Sequence, residues 1–458
     1  MRELPPDYKD EILSVVRQEF VKSGRTLVVL DDDPTGTQTC YDVTVLMSWD
    51  VELISEELKK GPDILFILTN SRSLTEDEAV RRTVEIGRHL KTAVRESGRE
   101  IVVISRSDSM LRGHFPAEVG AIATALDMKD FVTVLVPAFI EGGRYTIDDV
   151  HYIAEHGGLI PVSDTPFARD VVFGYKNADL KKWVEEKTHG RVEASAVISV
   201  SLEEVRVGGP QVVCNKLKNC TAGSICIVNA ASYRDLEVFA MGAMWAEKAG
   251  KEFLYRTSAT FVPIRAGLLS GKTFTPKKVE LISAHGSLVV VGSHVPKTTS
   301  QLTWLLAHGL YKSLEVDVKA ILNSIEPLTQ SAAIVQQTDR WLASGNDVVI
   351  HTSRTLEVGH DSESSLRINA VISDFLVRII KGLSVRPKMI LAKGGITSSD
   401  VATKGLSAEK AKILGAIIPG VPVWEMDQKS KFPGIHFVVF PGNVGNEAAL
   451  VEVLDLFR

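Results

Sequence analysis

Only four cysteines occur in the 458 residues, Cys40, Cys214, Cys220 and Cys226, and no two are spaced as C-x-x-C. That excludes a disulfide-stapled scaffold and speaks against a thiolate metal site, so the four are read as reduced thiols of a cytoplasmic protein. No stretch reaches the roughly 18 consecutive apolar residues of a membrane span. Acidic residues interrupt the opening MRELPPDYKDEILSVVRQEF, where a targeting segment needs an apolar core. Charge of one sign is scarce as well. A net charge of −5 without long like-charged runs offers no electrostatic footing for nucleic acid or an anionic membrane. Internal repeats, heptads and low-complexity tracts are missing. So is a Walker A loop: Gly267-Leu268-Leu269-Ser270-Gly271-Lys272-Thr273 has three residues between its glycines where the P-loop needs four, and no hydrophobic strand feeds it.

What the chain does have is apolar content, 45%, enough to bury at least two cores at about 100 to 200 residues per domain. Short β-branched runs alternate with amphipathic stretches: TLVVLDD (26–32), DILFILTN (63–70), EIVVISRSD (100–108), FVTVLVPA (131–138) and SICIVNA (224–230) read as buried parallel strands. Thr75 with Glu78 forms a capping-box pattern and Gly98 a stop, which predicts a helix between them. After a polar, glycine-edged stretch (273–286) a second series begins with SLVVVGS (287–293), NDVVIHTS (346–353), PKMILAKG (387–394) and IHFVVFPG (435–442), with helices over Pro296–His308 and Asn446–Phe457. The reading is an α/β protein of two domains, each a mostly parallel sheet flanked by helices, with the active site in the cleft between them. Residues 1–272 form the first domain, 273–286 a linker and 287–458 the second.

In open α/β sheets ligands gather outside the carboxyl ends of the strands, so polar residues there come first. The first series ends in Asp31-Asp32-Asp33-Pro34-Thr35-Gly36, Asn70-Ser71-Arg72-Ser73, Arg106 to His114, and Pro137-Ala138-Phe139 with Gly142-Gly143-Arg144 behind. Three adjacent aspartates repel one another unless exposed, paired or bridged, and Arg72, Arg106 and Arg112 are candidate partners. A plain Asp-Pro turn closed by Gly36 also fits those residue types. The chemical reading is that one carboxylate, Asp33 or Asp32, takes a hydroxyl proton while the arginines hold an acid group on the same small polyol.

The second series ends in glycine-rich turns at Val291 to His294, Lys393-Gly394-Gly395-Ile396-Thr397 and Phe440-Pro441-Gly442-Asn443. Glycines let the backbone approach a phosphate, and Lys393 supplies a charge. His114, His294 and His351 near strand ends read as structural, hydrogen-bonded residues.

These segments resemble the four-carbon acid sugar kinases over nearly the whole length. The carriers include LDDDPTGTQ (30–38), LTNSRSL (68–74), RSDSMLRG (106–113), VPAFIEGGRYTIDDVHY (136–152), VGSHVPKTTSQL (291–302), KGGITSSDVATKGL (393–406) and VVFPGNVG (438–445). The resemblance implies a first domain for the sugar acid and a second for ATP. It also implies γ-phosphoryl transfer to a terminal hydroxyl of a threonate, erythronate or 3-oxo-tetronate, with Mg²⁺ carried on the ATP phosphates and no metal site assigned in the protein. Acceptor contacts then fall on Asp32, Asp33, Arg72, Arg106, Asp108, Ser109, Arg112 and Gly113. Nucleotide contacts fall on Ser293, Lys393, Gly394, Gly395, Ile396, Thr397, Gly442 and Asn443. Two glycine turns depart from the better-characterised kinases, which have Gly-Gly-Glu-Thr and Lys-Ser-Gly-Asn-Phe-Gly there, so the chain looks like a separate branch. Two rival readings stand beside it. Asp31-x-Asp33-x-Thr35 after a strand fits the nucleophile loop of a haloacid-dehalogenase-type phosphatase, and a sugar-acid sensor without activity has the same acceptor residues. The expected partners are a small sugar acid and ATP, with homo-oligomerisation left open.

Overall fold

A computed structural model describes residues 3–155, 157–271, 273–276, 284–307, 311–323, 327–357 and 359–458. Lys272, the middle of the expected linker (277–283) and the expected helix end at His308 lie outside the described residues. The chain forms two compact units, one of Met1–Asp32 and Ser48–Ser270, the other of Asp33–Met47 and Gly271–Arg458.

The first unit holds strands β1 (Thr26–Asp31), β3 (Ile64–Leu68), β4 (Ile101–Arg106), β5 (Phe131–Val136), β9 (Ile198–Val200), β10 (Ile225–Val228) and β11 (Glu252–Thr257). They lie in the order β3-β1-β4-β11-β5-β10-β9, every neighbouring pair parallel. Helices cover both faces, so β1 and β3 are buried at every residue and their sequences run apolar without alternation. The helix Glu76–Ser97 starts on the predicted Thr75/Glu78 capping box and stops at Gly98, whose φ of 65° is a left-handed conformation glycine adopts freely. A separate antiparallel sheet of β6 (Arg144–Ile147), β7 (Val150–Glu155) and β8 (Gly158–Pro161) belongs to this unit.

The second unit contains β2 (Val43–Leu46), β12 (Leu288–Val291), β13 (Lys312–Val316), β14 (Val348–Thr352), β15 (Ile390–Lys393), β16 (Lys410–Ile418), β17 (Val421–Met426) and β18 (His436–Phe440). Strands β13-β14-β12-β15-β18 are parallel; β17, β16 and β2 continue the sheet antiparallel. The parallel strands give Val289, Val349, Leu391 and Val438 to a core closed by Leu302 and Leu305 of the helix Pro296–Ala307 and by Leu450 and Val453 of the helix Ala449–Leu456.

All nine strands expected from the sequence form. The expected first domain runs unbroken to residue 272, whereas the compact unit breaks at Asp32 and resumes at Ser48. The physical reason is strand pairing: Val43 to Leu46 add to β16 in antiparallel register, and the Trp424 indole donates to Thr37 Oγ1 at 3.0 Å. The aspartate loop is therefore shared out, Asp31 and Asp32 to the first unit, Asp33 to the second.

Candidate active site

In the first unit the carboxyl ends of β1, β3, β4 and β11 bring one polar cluster together. Asp31 and Asp32 close β1, Arg72 follows β3, Arg106 ends β4 with Ser107 next, and Arg256 lies one residue from the end of β11. Asp31 is fully buried and accepts from Arg106 Nη1 at 3.0 Å. Asp32 accepts from Arg72 Nη2 at 2.6 Å and Nε at 3.3 Å, and from Ser107 Oγ at 2.7 Å, with Arg106 Nη1 at 3.5 Å. Burial alone pushes the Asp32 carboxyl up, but Arg72, Arg106 and Arg256 outweigh it and hold it below the usual carboxylate range. Asp108 is the same case, with Arg112, Arg72 and Arg106 overcoming burial to leave its carboxyl far down. Its partner Arg112 donates from Nε at 2.6 Å, reaches Asp170 at 3.4 Å and lies over the Phe167 ring.

The loop bearing Asp108 is backbone-strained. Leu111 is buried with φ 64°, and Gly113, at φ 126°, passes so close to the cluster that a Cβ there would meet Ser107 Oγ at 2.6 Å and Arg256 Nη2 at 2.7 Å. Ser109 enters through its backbone, its carbonyl accepting from His151 Nε2 at 2.8 Å. Burial depresses the His151 pKa to about 4, so the ring is neutral and Nδ1 takes the Thr146 hydroxyl. Beside the cluster is a small cleft lined by Ser107, Asp108, Arg112, Phe115, Trp183 and Arg256.

Sequence reasoning missed Arg256 and Glu118. Arg256 donates to Ser105 Oγ (2.7 Å), Ser107 Oγ (2.8 Å) and Glu118 Oε2 (3.0 Å), while Glu118 also takes the Ser71 hydroxyl. The signal available was an Arg-Thr-Ser run ending a strand, EFLYRT, that was itself unrecognised.

In the second unit the three glycine turns meet around Ser293. A Cβ on Gly292 would meet Thr397 Oγ1 at 2.2 Å, one on Gly394 would meet Ser293 Cβ at 2.9 Å, and one on Gly442 would meet Ser293 Oγ at 2.9 Å. Gly394, at φ 115°, opens a short helix, Gly395–Asp400, and its amide donates to Phe440 O at 2.8 Å. Lys393 is fully buried, lies over the Phe440 ring at 3.9 Å and donates to Pro441 O at 2.7 Å, so it ties one turn to another. Burial, with Lys297 adding to it, lowers the Lys393 pKa to about 6. Asp33 belongs here. Its Oδ1 accepts from the Thr35 amide at 2.9 Å, and its Oδ2 lies 2.0 Å from where a Gly395 Cβ would be. Ile396 is half-buried beside Thr397, and Asn443 follows Gly442 in the third turn.

Arg354, after β14, is a further residue the sequence reading passed over. Its Nη2 donates to Ser293 O at 2.7 Å and Thr299 Oγ1 at 2.8 Å, while Nε and Nη1 are buried without hydrogen-bond partners among the described residues. His294 bonds Ser353 O and His351 bonds Ser313 Oγ; His114 Nε2 lies between Ser71 O and Leu74 O.

The arrangement disfavours Asp31 as a covalent nucleophile, since it is buried beneath Arg106 with no exposed oxygen face. No group of three His, Cys, Asp or Glu side chains among the described residues could hold a metal, and no described helix is long and apolar enough to cross a membrane.

The chain is 27% identical to the D-erythronate kinase of Heliobacterium modesticaldum (strain ATCC 51547 / Ice1) over 94% of its own length and 96% of the relative's. Two solved structures share its fold. A Haemophilus influenzae protein from a family of unknown function has a TM-score of 0.60 at 17% identity, covering 94% of this chain and 100% of that one. A Salmonella typhimurium LT2 protein provisionally named a tRNA synthase has a TM-score of 0.66 at 15% identity, covering 94% and 98%. Residues 27–264 match a sugar-binding N-terminal domain and residues 288–450 a nucleotide-binding C-terminal domain, and the chain belongs to the four-carbon acid sugar kinase family that these two domains define.

Proposed function

We propose that the chain is an ATP-dependent kinase that phosphorylates the terminal hydroxyl of a four-carbon sugar acid, of the threonate, erythronate or 3-oxo-tetronate type, to the 4-phosphate. The observation that carries this reading is the pairing of a sugar-binding with a nucleotide-binding domain in one chain. Each has its polar residues at the carboxyl ends of its parallel strands. The erythronate kinase named above supports the substrate class.

Phosphoryl transfer asks a protein mainly for positioning and for neutralising charge. Ser293, Gly394 to Thr397, Gly442 and Asn443 are the proposed nucleotide contacts, because their turns leave backbone amides where side chains would otherwise stand. Lys393 holds two of those turns together, and the orphaned nitrogens of Arg354 suit a phosphate oxygen. Mg²⁺ would enter as a nucleotide-borne ion that neutralises phosphate charge, with Asp33 the carboxylate at the Gly395 turn that could share it.

Asp33 is also the proposed base for the acceptor hydroxyl. Asp32 is the weaker candidate, since three neighbours already occupy its oxygens. Asp108 and Arg112 line the acceptor cleft, Ser109 and Gly113 are proposed acceptor contacts on the same loop, and Arg72 and Arg106 keep the aspartates charged and in place. The test is a panel of four-carbon sugar acids with ATP and Mg²⁺, read out as ADP. Release with at least one acid is the expected result; ADP from none, together with no calorimetric binding of ATP, overturns the proposal.

A further inference from the structure

Five arginines lie at or near the carboxylate cluster of the first unit, and four already answer to acids. Arg72 pairs with Asp32, Arg106 with Asp31 and Asp32, Arg112 with Asp108 and Asp170, Arg256 with Glu118. Arg144 does not. It opens β6, its Nη1 donates to the Gly142 carbonyl at 2.7 Å, its guanidinium lies over the Phe139 ring, and its Nε is buried with no hydrogen-bond partner among the described residues.

Strand register says where this arginine faces. In the β6–β7 pair Thr146 stands opposite His151 and Arg144 opposite Ile153. Residues two apart share a face of a strand, so Arg144 is on the face of Thr146 and His151. His151 in turn holds the carbonyl of Ser109, the neighbour of Asp108. That face therefore looks onto the RSDSMLRG loop. Burial lowers the Arg144 pKa against the pull of the Asp108 and Glu155 carboxylates, and Arg112 adds to the lowering.

We propose that Arg144 is the specificity-determining residue that receives the carboxylate of the sugar acid, an assignment that rests on the kinase reading above. A half-buried guanidinium with no carboxylate in hydrogen-bond reach among the described residues has donors to spare, and a ligand carboxylate would satisfy them directly. Docking the same carboxylate on Arg72, Arg106 or Arg112 makes it share a guanidinium that already pairs with an internal aspartate. The proposal therefore gives the acid group to Arg144, where the sequence reading gave it to those three.

The test is calorimetric titration of erythronate and threonate, and of the matching tetritol, which lacks the carboxylate, into the wild type, Arg144→Met and Arg144→Lys, with ADP release followed in parallel. Arg144→Met is expected to weaken the acid roughly 10- to 100-fold, the loss of a charge-assisted contact, and to leave the tetritol unchanged; Arg144→Lys recovers most of the acid affinity. Unchanged acid affinity in Arg144→Met, or an equal loss for acid and tetritol, overturns the assignment. A wild type that binds the acid without forming ADP sinks the kinase reading and leaves the carboxylate site standing. A wild type that binds neither acid sinks both. Unaltered circular dichroism of Arg144→Lys keeps the comparison valid where Arg144→Met fails to fold.

Discussion

Asp32 and Asp33 are adjacent in the chain and chemically unlike. Asp32 is the hub of a buried network, and removing its charge leaves Arg72 and Arg106 underpaired, a loss that typically costs about 3–5 kcal/mol. Asp33 accepts from the amide and the hydroxyl of Thr35 and lies on the Gly395 turn. Asp32→Asn is therefore expected to lower the melting temperature sharply, and Asp33→Asn to keep it near the wild-type value while kcat falls by ~10²–10⁴. Chemical denaturation beside steady-state kinetics separates the two. A stable, fully active Asp33→Asn contradicts its role as base, and a raised Mg²⁺ requirement at unchanged kcat reassigns it to the metal.

Lys393 makes a second prediction at this scale. Its folded pKa of about 6 lies below the ordinary lysine value of 10.5, so between these limits the unfolded chain binds the extra proton. Stability then rises with pH across that window, by up to about 1.4 kcal/mol per unit from this group. Lys393→Met should flatten the slope between pH 7 and 9 relative to the wild type. Equal slopes in urea titrations would show that the lysine stays charged, held so by Pro441 O and the Phe440 ring.

Among the elements, the glycine turns carry the most specific expectation. Gly395 is not at positive φ, so alanine suits its backbone, yet its Cβ would press on Asp33. Gly395→Ala is expected to reduce kcat at least tenfold with little change in the unfolding midpoint; unchanged kcat would detach Asp33 from the chemistry. The turns were legible because glycine after an apolar strand has a structural cause. So were the nine strands buried on both faces, whose apolar runs are continuous. Strand β11 was not, since Glu252, Tyr255 and Arg256 interrupt its run, although Tyr255 is buried against Glu247 and Arg265. Strand β16 escaped notice for the opposite reason: its residues alternate between buried and more exposed, as an antiparallel strand with one partly solvated face does, before a Pro-Gly turn leads into β17. Arg144 and Arg256 could not be singled out from sequence, because what distinguishes them is the presence or absence of a carboxylate brought close by tertiary structure.

At the scale of the whole molecule, composition allowed at least two cores, the alternation of apolar runs with amphipathic stretches made them α/β, and two such units form. Nothing local marks the passage of the chain from the first unit to the second between Asp32 and Asp33, since pairing of Val43 to Leu46 with a strand more than 360 residues later, and the Trp424 bond to Thr37, define it. The loop that looked like a single acceptor motif thus contributes Asp32 to one unit and Asp33 to the other. The central claim is that these units serve one phosphoryl transfer. It is tested most directly by ³¹P spectroscopy and mass analysis of a reaction holding the purified chain, Mg·ATP and each four-carbon sugar acid in turn. The account predicts ADP and a sugar-acid 4-phosphate in equal amounts from at least one acid. Inorganic phosphate without a phosphorylated acid, or ATP left intact with every acid, would contradict it.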